Sequence, residues 1–277
     1  MQIDLSDKVV RIRLHTLKIQ EVPNMAKRLM KPITCPHCKA ETEMEVWDSV
    51  NVSLNSTLKQ SILNGTFFDW TCPECGQTAR IFYPFLYIDM LNRFMIWTGT
   101  PKSLDHDLYN KMTLDGYKFR YVRVLPELVE KIILLENEID DYALETMKFT
   151  MMQALYKQGM PEKEGDPRKG PVPVSMQFRT VENNELVFLA LFKDAKPAVI
   201  KVAPDSYLAL KAQLEKSPFM QKFLNDTAGK FQLVDASWGR NATIILNTEK
   251  MGAQIKATKA AQEEKAAEST EEKSSEE

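Results

Sequence analysis

The cysteines constrain the fold of this chain more than any other feature of its sequence. All four belong to two pairs, and each pair has two intervening residues with a proline directly after its first cysteine. This spacing lets a tight turn direct both sulfurs of a pair toward one point about 2.3 Å away. The two pairs therefore predict one tetrahedral metal site whose four thiolate ligands are Cys35, Cys38, Cys72 and Cys75.

The predicted shell favours a structural Zn²⁺ over a catalytic one. Four thiolates leave no open position for water, so the site cannot activate water for hydrolysis. His37 lies between two of the ligands, but four sulfurs already complete the shell. Two redox-active pairs are the alternative, but no evident helix follows either pair as in thioredoxin-like folds. Gly76 follows the second pair and tolerates positive φ, whereas Lys39 occupies the matching position after the first.

Composition and charge favour a globular protein of the cytoplasm. Of its 277 residues, 44% are apolar and 27% are charged, which suggests one or two domains. No apolar run approaches the roughly 20 residues of a membrane-spanning helix, and the polar start shows no signal peptide. The net charge of −2 gives no general attraction to nucleic acid or to an anionic membrane. A chain whose cysteines all belong to such closely spaced pairs is typical of metal or redox chemistry in a reducing compartment.

The first half of the chain predicts a β-rich domain held by the metal. Residues 1–30 alternate apolar and charged side chains and predict an N-terminal β arm. Residues 31–157 contain both cysteine pairs, several short strands and two closing helices. The first helix opens at Leu125-Pro126-Glu127, since proline suits the first helical turn. The second runs from about Asp140 to Lys157 with apolar residues at helical spacing.

The second half predicts a smaller unit and a tail. Residues 158–172 are rich in Pro, Gly and charge and predict a linker. Residues 173–248 predict a small α+β domain with a hairpin turn at Asn183-Asn184 and a closing hairpin around Trp238-Gly239-Arg240-Asn241. Residues 249–277 lack aromatic residues and predict a disordered acidic tail. The fold class of the whole chain is therefore predicted to be α+β.

Catalytic motifs are weak in this sequence. His106 lies between two aspartates and resembles a general base with carboxylate partners, although a solvated loop is the favoured interpretation. Asp140 and Asp141 are adjacent acids near a helix start, where capping and a favourable dipole interaction are commoner than acid–base chemistry. His15 falls in a predicted strand. No phosphate-binding loop, nucleophile elbow or zinc-protease motif is present.

Three hypotheses of function follow from these features. The favoured one is a non-catalytic interaction or scaffold protein that binds another protein and is held together by zinc. The second is a nucleic-acid-associated zinc ribbon, because residues 1–31 contain 7 Lys or Arg against 3 Asp or Glu. No clustered basic run or interleaved aromatic residue supports that second hypothesis. The third is an enzyme of unidentified class that uses His106 or the Asp140-Asp141 pair.

Several segments together resemble one known family. They are the motifs Cys35-Pro36-His37-Cys38 and Cys72-Pro73-Glu74-Cys75, the segment Leu63-Asn64-Gly65-Thr66-Phe67-Phe68, and Leu125-Pro126-Glu127-Leu128 with Ile139-Asp140-Asp141. In this combination the chain resembles the CpXC domain family of bacterial and archaeal proteins, over about residues 31–157. Asn137-Glu138 stands where the family pattern would have a glycine. The family has no established activity, so the resemblance implies a prokaryotic, cytoplasmic, zinc-binding protein.

Overall fold

The structure is a computed structural model that describes residues 28–100, 116–160 and 167–274, with side chains described as far as residue 262. These residues combine helices with β-sheets, so the predicted α+β class is confirmed. His15, His106 and most of the predicted N-terminal arm lie outside the described residues.

The first half contains two β-hairpins and a four-stranded sheet. One hairpin pairs β1 with β2, and the other pairs β4 with β5. The sheet has the order β3-β6-β7-β8, in which the central pair is antiparallel and both outer pairs are parallel. The strands are β1 (Arg28–Thr34), β2 (Glu41–Trp47), β3 (Ser49–Asn51), β4 (Asp69–Thr71), β5 (Thr78–Arg80), β6 (Leu86–Asp89), β7 (Phe94–Trp97) and β8 (Lys118–Tyr121).

A short helix, α1 (Ser56–Asn64), connects the first cysteine pair to the second. The Asn55 side chain accepts a hydrogen bond from the backbone N–H of Leu58, which satisfies one free donor of the first turn. Gly65 ends the helix with φ of 83°, as its sequence position predicts. A 3₁₀ turn, Thr66–Phe68, follows the helix. The strand β4 begins only after that turn.

Two helices follow the four-stranded sheet. The first, α2 (Leu125–Glu136), has proline in its first turn, and it packs Leu128 and Ile132 into the core beside that sheet. The second, α3 (Asp141–Gln158), is capped by Asp140, whose carboxylate accepts from the N–H of Ala143 at 2.8 Å. Both helices begin where the sequence predicted, because their capping signals are local.

The second half contains a three-stranded antiparallel sheet and three helices. Asn183 and Asn184 both have positive φ at the turn between β9 and β10, as a tight hairpin of this type requires. The sheet order is β11-β10-β9. The elements are β9 (Pro173–Glu182), β10 (Glu185–Phe192), β11 (Ala198–Val202), α4 (Pro204–Lys216), α5 (Pro218–Thr227) and α6 (Ala236–Ser274).

Helix α3 joins the two halves through packing. Its Leu144 and Met147 belong to the same buried cluster as Phe178 and Phe188 of the three-stranded sheet. In addition, the backbone N–H of Tyr121 donates to the carbonyl of Gln232 at 2.8 Å, so β8 contacts the chain just before α6. The sequence assigned α3 to the first domain, whereas its apolar face packs against elements of the second. The domain boundaries stay a prediction.

The segment from 231 to 274 corrects two predictions. The predicted closing hairpin around Trp238-Gly239-Arg240-Asn241 is wrong, because these residues form the first turns of α6. The Asp235 side chain accepts from the N–H groups of Ser237 and Trp238 and so caps the helix. Residues 249–274 are likewise helical and not disordered. They extend a helix already nucleated by packing, and their Ala, Glu and Lys content favours helix propagation.

Candidate metal centre

The two cysteine pairs lie at the tips of the two hairpins, and the fold brings both tips together. All four sulfurs lie within 4.8 Å of one another. The Sγ atoms of Cys35 and Cys75 are 3.8 Å apart, as are those of Cys38 and Cys72. Ligand bonds of about 2.3 Å in a regular tetrahedron give sulfur–sulfur distances of about 3.8 Å. The predicted ligands are therefore arranged as one tetrahedral metal site requires.

The two turns that present the cysteines have the same backbone hydrogen bonds. In each turn the N–H of the first cysteine donates to a carbonyl five residues later, and its own carbonyl accepts from the N–H four residues later. The bonds are Cys35 N–H to Ala40 (2.9 Å), Lys39 N–H to Cys35 (3.0 Å), Cys72 N–H to Gln77 (2.9 Å) and Gly76 N–H to Cys72 (2.9 Å). The first turn therefore has the same geometry as the second, although its sequence is less regular.

The residue after each pair takes the left-handed conformation. Gly76 has φ of 67° and Lys39 has φ of 64°. Glycine adopts this conformation without strain, whereas a residue with a Cβ pays about 1–2 kcal/mol. The Lys39 ammonium donates to the carbonyl of Pro36 at 2.9 Å and closes the first turn from outside. Two sequences thus reach one backbone shape, with strain in the first turn only.

The cysteines differ in burial and in pKa. Cys35 and Cys72 are 0% and 1% exposed, Cys75 is half-buried and Cys38 is exposed. Burial acts to raise the pKa of Cys35, but backbone N–H groups of Cys38 and His37 offset it and lower the pKa to about 6. For Cys38 the Ala40 N–H acts to lower the pKa, yet burial and the other thiols raise it to about 12. Four thiolates this close repel one another, so their joint ionisation requires a cation.

Hydrogen bonds and aromatic packing fix the second hairpin. Arg80 donates to both carboxylate oxygens of Asp69 at 2.8 and 3.2 Å across β4 and β5. The N–H of Ile81 donates to the carbonyl of Phe68 at 2.7 Å and joins the hairpin to the 3₁₀ turn. Phe68 itself is fully buried and contacts the ring of Phe85. The second turn is therefore anchored to the apolar core of the first half.

The other candidate site residues are not brought to the cysteines. Among the described residues, the group found with metal-ligand geometry consists of the four cysteines and does not include His37. His15 and His106 lie outside the described residues. The structure describes Asp140 and Asp141, and their two carboxylates have different partners. Asp140 caps α3, as the sequence favoured, and Asp141 forms ion pairs.

A cluster of six charged residues, five of them buried and Lys148 partly buried, was missed by the sequence analysis. Asp141 is 1% exposed and accepts two hydrogen bonds from Arg120, at 2.7 and 2.8 Å, and one from Lys131 at 3.0 Å. Burial opposes ionisation of Asp141, but the two cations hold its pKa well below the usual range. Lys148 pairs with Glu130 and with Glu145, the latter at 3.0 Å. We call these six residues the buried charge cluster.

The spacing along α3 was the available signal for this cluster. Asp141, Glu145 and Lys148 are separated by four and three residues and so share one helix face. Such a stripe normally lies in solvent, and nothing in the local sequence shows that Arg120 of β8 and Lys131 of α2 would cover it. The cluster is a consequence of tertiary packing.

Comparison with known proteins agrees with the geometry of the cysteines. The model of the CpXC protein family matches residues 33–148. The matched region, residues 33–148, is called the CpXC domain. The match covers both cysteine turns, the described part of the four-stranded sheet, α2 and the first part of α3, so the predicted resemblance is confirmed. The chain matches no curated protein and no solved structure in the comparisons made.

A helix that spans a membrane needs about 20 consecutive, mostly apolar residues. None of the helices in the described part of the chain has the length and apolar character needed to cross a bilayer.

Proposed function

We propose that the CpXC domain binds one structural Zn²⁺ through Cys35, Cys38, Cys72 and Cys75. The observation that carries this proposal is the convergence of two hairpin tips on one point, with sulfur–sulfur distances of 3.8 Å. Tetrahedral sites of four thiolates in proteins hold zinc or iron. Zinc is the choice for a site with a purely structural role, since it has no redox chemistry and its closed shell excludes water.

The metal would hold together a part of the fold that has little apolar core. No side chain of β1, β4 or β5 is fully buried, and β2 buries only Met44 and Val46. Two-stranded hairpins of this kind are marginal in water on their own. Binding of Zn²⁺ to such ligands is coupled to folding and is worth on the order of 10 kcal/mol. The ion would thus stabilise both hairpins at once.

Metal analysis of the purified, reduced protein tests this proposal. We expect one zinc per chain, and we expect cobalt(II) substituted for zinc to give the absorption bands of a tetrahedral thiolate complex. Cys72→Ser should lose the metal, whereas the matched control His37→Ala, altered inside the same turn, should retain it. Iron as the resident metal, or no stoichiometric metal in the wild-type protein, would contradict the assignment.

For the whole chain we propose a non-catalytic interaction or scaffold protein of the cytoplasm, whose partner is another protein. Two features support this role. The thiolate shell has no open position at which a substrate could bind the metal. The two acids suggested by the sequence for catalysis, Asp140 and Asp141, are used for helix capping and for ion pairing.

A binding experiment with the full chain tests the scaffold role. Affinity capture at native expression level should give a protein complex of fixed stoichiometry that survives size-exclusion chromatography. If the metal holds the binding surface, Cys72→Ser should release the partner and His37→Ala should not. Turnover of a common metabolite by the purified protein, or capture of nucleic acid in place of protein, would contradict this role.

A further inference from the structure

A cavity of about 450 Å³ lies where the CpXC domain meets the second half of the chain. It is bounded by the end of β8, by α2, α3 and β9, and by the segment that leads into α6. Its volume falls within the range of about 300–1,000 Å³ that is typical of small-molecule pockets, and junctions between domains are common places for them. Of the described residues, neither the four cysteines nor Asp140 and Asp141 contribute to its lining.

Most of the cavity wall is apolar. Val122, Phe149, Met152, Met176 and Val234 line it together with backbone of neighbouring residues. Met176 and Val234 also belong to the buried core of the second half, so this part of the wall is rigidly packed. An apolar wall of this kind favours a ligand with an apolar body, because its burial removes apolar surface from water.

Part of the remaining wall is charged, and the more deeply buried of these charges already neutralise one another. Glu130, Lys131, Glu145 and Lys148 line the cavity, and all four belong to the buried charge cluster. With Arg120 and Asp141 behind them, the cluster contains three acids and three bases. An ionic ligand group would therefore lose its hydration without finding an unpaired counter-charge, which is costly in a buried site.

The charges nearer to solvent discriminate further against anions. Arg123 forms ion pairs with both Glu127 and Asp235 at the edge of the cavity, so two carboxylates surround one guanidinium there. This excess of one negative charge repels an incoming anion, but it does not repel a neutral molecule or a cation.

Two neutral polar side chains supply hydrogen bonds. Ser175 and Gln177 of β9 line the cavity, and within the described part of the chain neither side chain hydrogen-bonds another residue. A hydroxyl and an amide can each donate and accept, so they suit a ligand with one neutral polar group. We propose that this cavity binds a small, uncharged, mostly apolar molecule with a hydroxyl or amide group. The proposal is independent of the metal assignment.

Three probes of almost one shape test the proposal on the full-length, metal-loaded protein: neutral benzamide, anionic benzoate and cationic benzamidine. Binding is followed by NMR of methionine methyl groups, because Met152 and Met176 line the cavity whereas Met251 is exposed on α6. Benzamide should shift the signals of Met152 and Met176 and leave Met251 unchanged. Benzoate should bind at least tenfold more weakly, and benzamidine should also bind more weakly than benzamide.

A cavity-filling variant locates the binding. Ser175→Phe should abolish the benzamide shifts, and Val199→Phe, on an exposed position of the same sheet, should not. Circular dichroism checks that both variants fold; if Ser175→Phe does not, Gln177→Leu should weaken benzamide without changing the fold. The proposal is overturned if millimolar benzamide shifts neither methionine, if benzoate or benzamidine binds as tightly, or if folded Ser175→Phe retains binding.

Discussion

The two hairpins that carry the cysteines and the three-stranded sheet β9–β11 are both antiparallel, but different forces stabilise them. The sheet buries Phe178 and Phe188, whose rings contact each other with centroids 5.7 Å apart. Besides Cys35 and Cys72, the hairpins bury only Met44 and Val46. Where a segment is too small to bury enough apolar surface, a metal can supply the missing free energy. The comparison therefore agrees with the proposal that a metal stabilises the hairpins, whereas the hydrophobic effect stabilises the three-stranded sheet.

Loss of the metal gives the largest expected effect and is the direct way to break this comparison. In Cys72→Ser, hydrogen exchange of residues 28–47 and 69–80 should rise by orders of magnitude, because the proposed zinc binding, worth on the order of 10 kcal/mol, would be lost. Residues 173–202 should stay protected. His37→Ala is the matched control and should leave both regions protected. Hairpins that remain protected in Cys72→Ser would show that packing alone holds them.

The buried charge cluster connects β8 and α2 of the first half to the three-stranded sheet, and Asp141→Asn tests that connection. Asp141 pairs with Arg120 of β8 and Lys131 of α2, while the Glu130 carboxylate accepts from the N–H of Phe178 at 3.1 Å in β9. Removing one partner leaves buried cations uncompensated, so we expect a loss of about 3–5 kcal/mol in urea unfolding. The exposed pair Lys201–Glu182 is the control, and Lys201→Ala should change stability by at most about 1 kcal/mol. Equal effects would contradict a coupling role.

The ion pairs of Asp141 with Arg120 and Lys131 also predict how stability depends on pH. The pKa of Asp141 is lower in the folded state, because Arg120 and Lys131 outweigh the opposing effect of burial. Its contribution to stability is therefore fully present above the unfolded pKa of about 3.9, and it is lost as the pH falls toward the folded value. Wild type should lose more stability than Asp141→Asn between about pH 5 and 2. Parallel curves of unfolding free energy against pH would contradict this.

The close packing of α6 against α3 gives a smaller expected effect. A Cβ at Gly239 of α6 would lie 2.2 Å from the carbonyl oxygen of Glu145 in α3. Gly239→Ala should therefore force the helices apart and destabilise the protein by about 1–3 kcal/mol in thermal unfolding. Gly252 lies in the same helix with nothing within 4 Å of its added Cβ. Gly252→Ala should be neutral or stabilising by up to about 1 kcal/mol. The same sign for both variants would refute close packing at Gly239.

The sequence predicted best what depends on a few consecutive residues. The cysteine turns, the start of α2 at Leu125 and the Asn183-Asn184 turn are local features, and each was located correctly. The first turns of α6 were missed because Gly239 and Asn241 are typical turn residues. Trp238, Ala242 and Leu246, spaced by four, pack on the core at helical spacing and were the overlooked signal.

Charge patterns were harder to interpret than apolar ones. On α3 the stripe Asp141, Glu145 and Lys148 has the spacing of a solvent-exposed face, yet Asp141 and Glu145 are buried and the Lys148 side chain is only 12% exposed. Their partners lie in β8 and α2, which only the tertiary fold brings close. The apparent acid pair Asp140-Asp141 was ambiguous for the same reason: one member caps the helix, and the other belongs to the cluster.

A comparison inside the metal centre gives the smallest expected effect. Lys39 and Gly76 occupy matching positions with φ of 64° and 67°, so they differ in side chain but hardly in backbone. Gly76 has nothing within 4 Å of an added Cβ, so Gly76→Ala tests backbone strain alone. It should lower stability by about 1–2 kcal/mol. Lys39→Gly removes the backbone strain of the first turn. It also adds conformational freedom to the unfolded chain and loses the hydrogen bond to the Pro36 carbonyl.

The net gain expected for Lys39→Gly is therefore at most about 1 kcal/mol. Thermal unfolding of the metal-loaded protein measures both variants, and competition with a chelator measures their metal affinity. A large destabilisation by Lys39→Gly would mean that the lysine bond to Pro36, and not the shared left-handed backbone, holds the first turn in shape. In that case the two cysteine turns would be alike in geometry but not in what stabilises them.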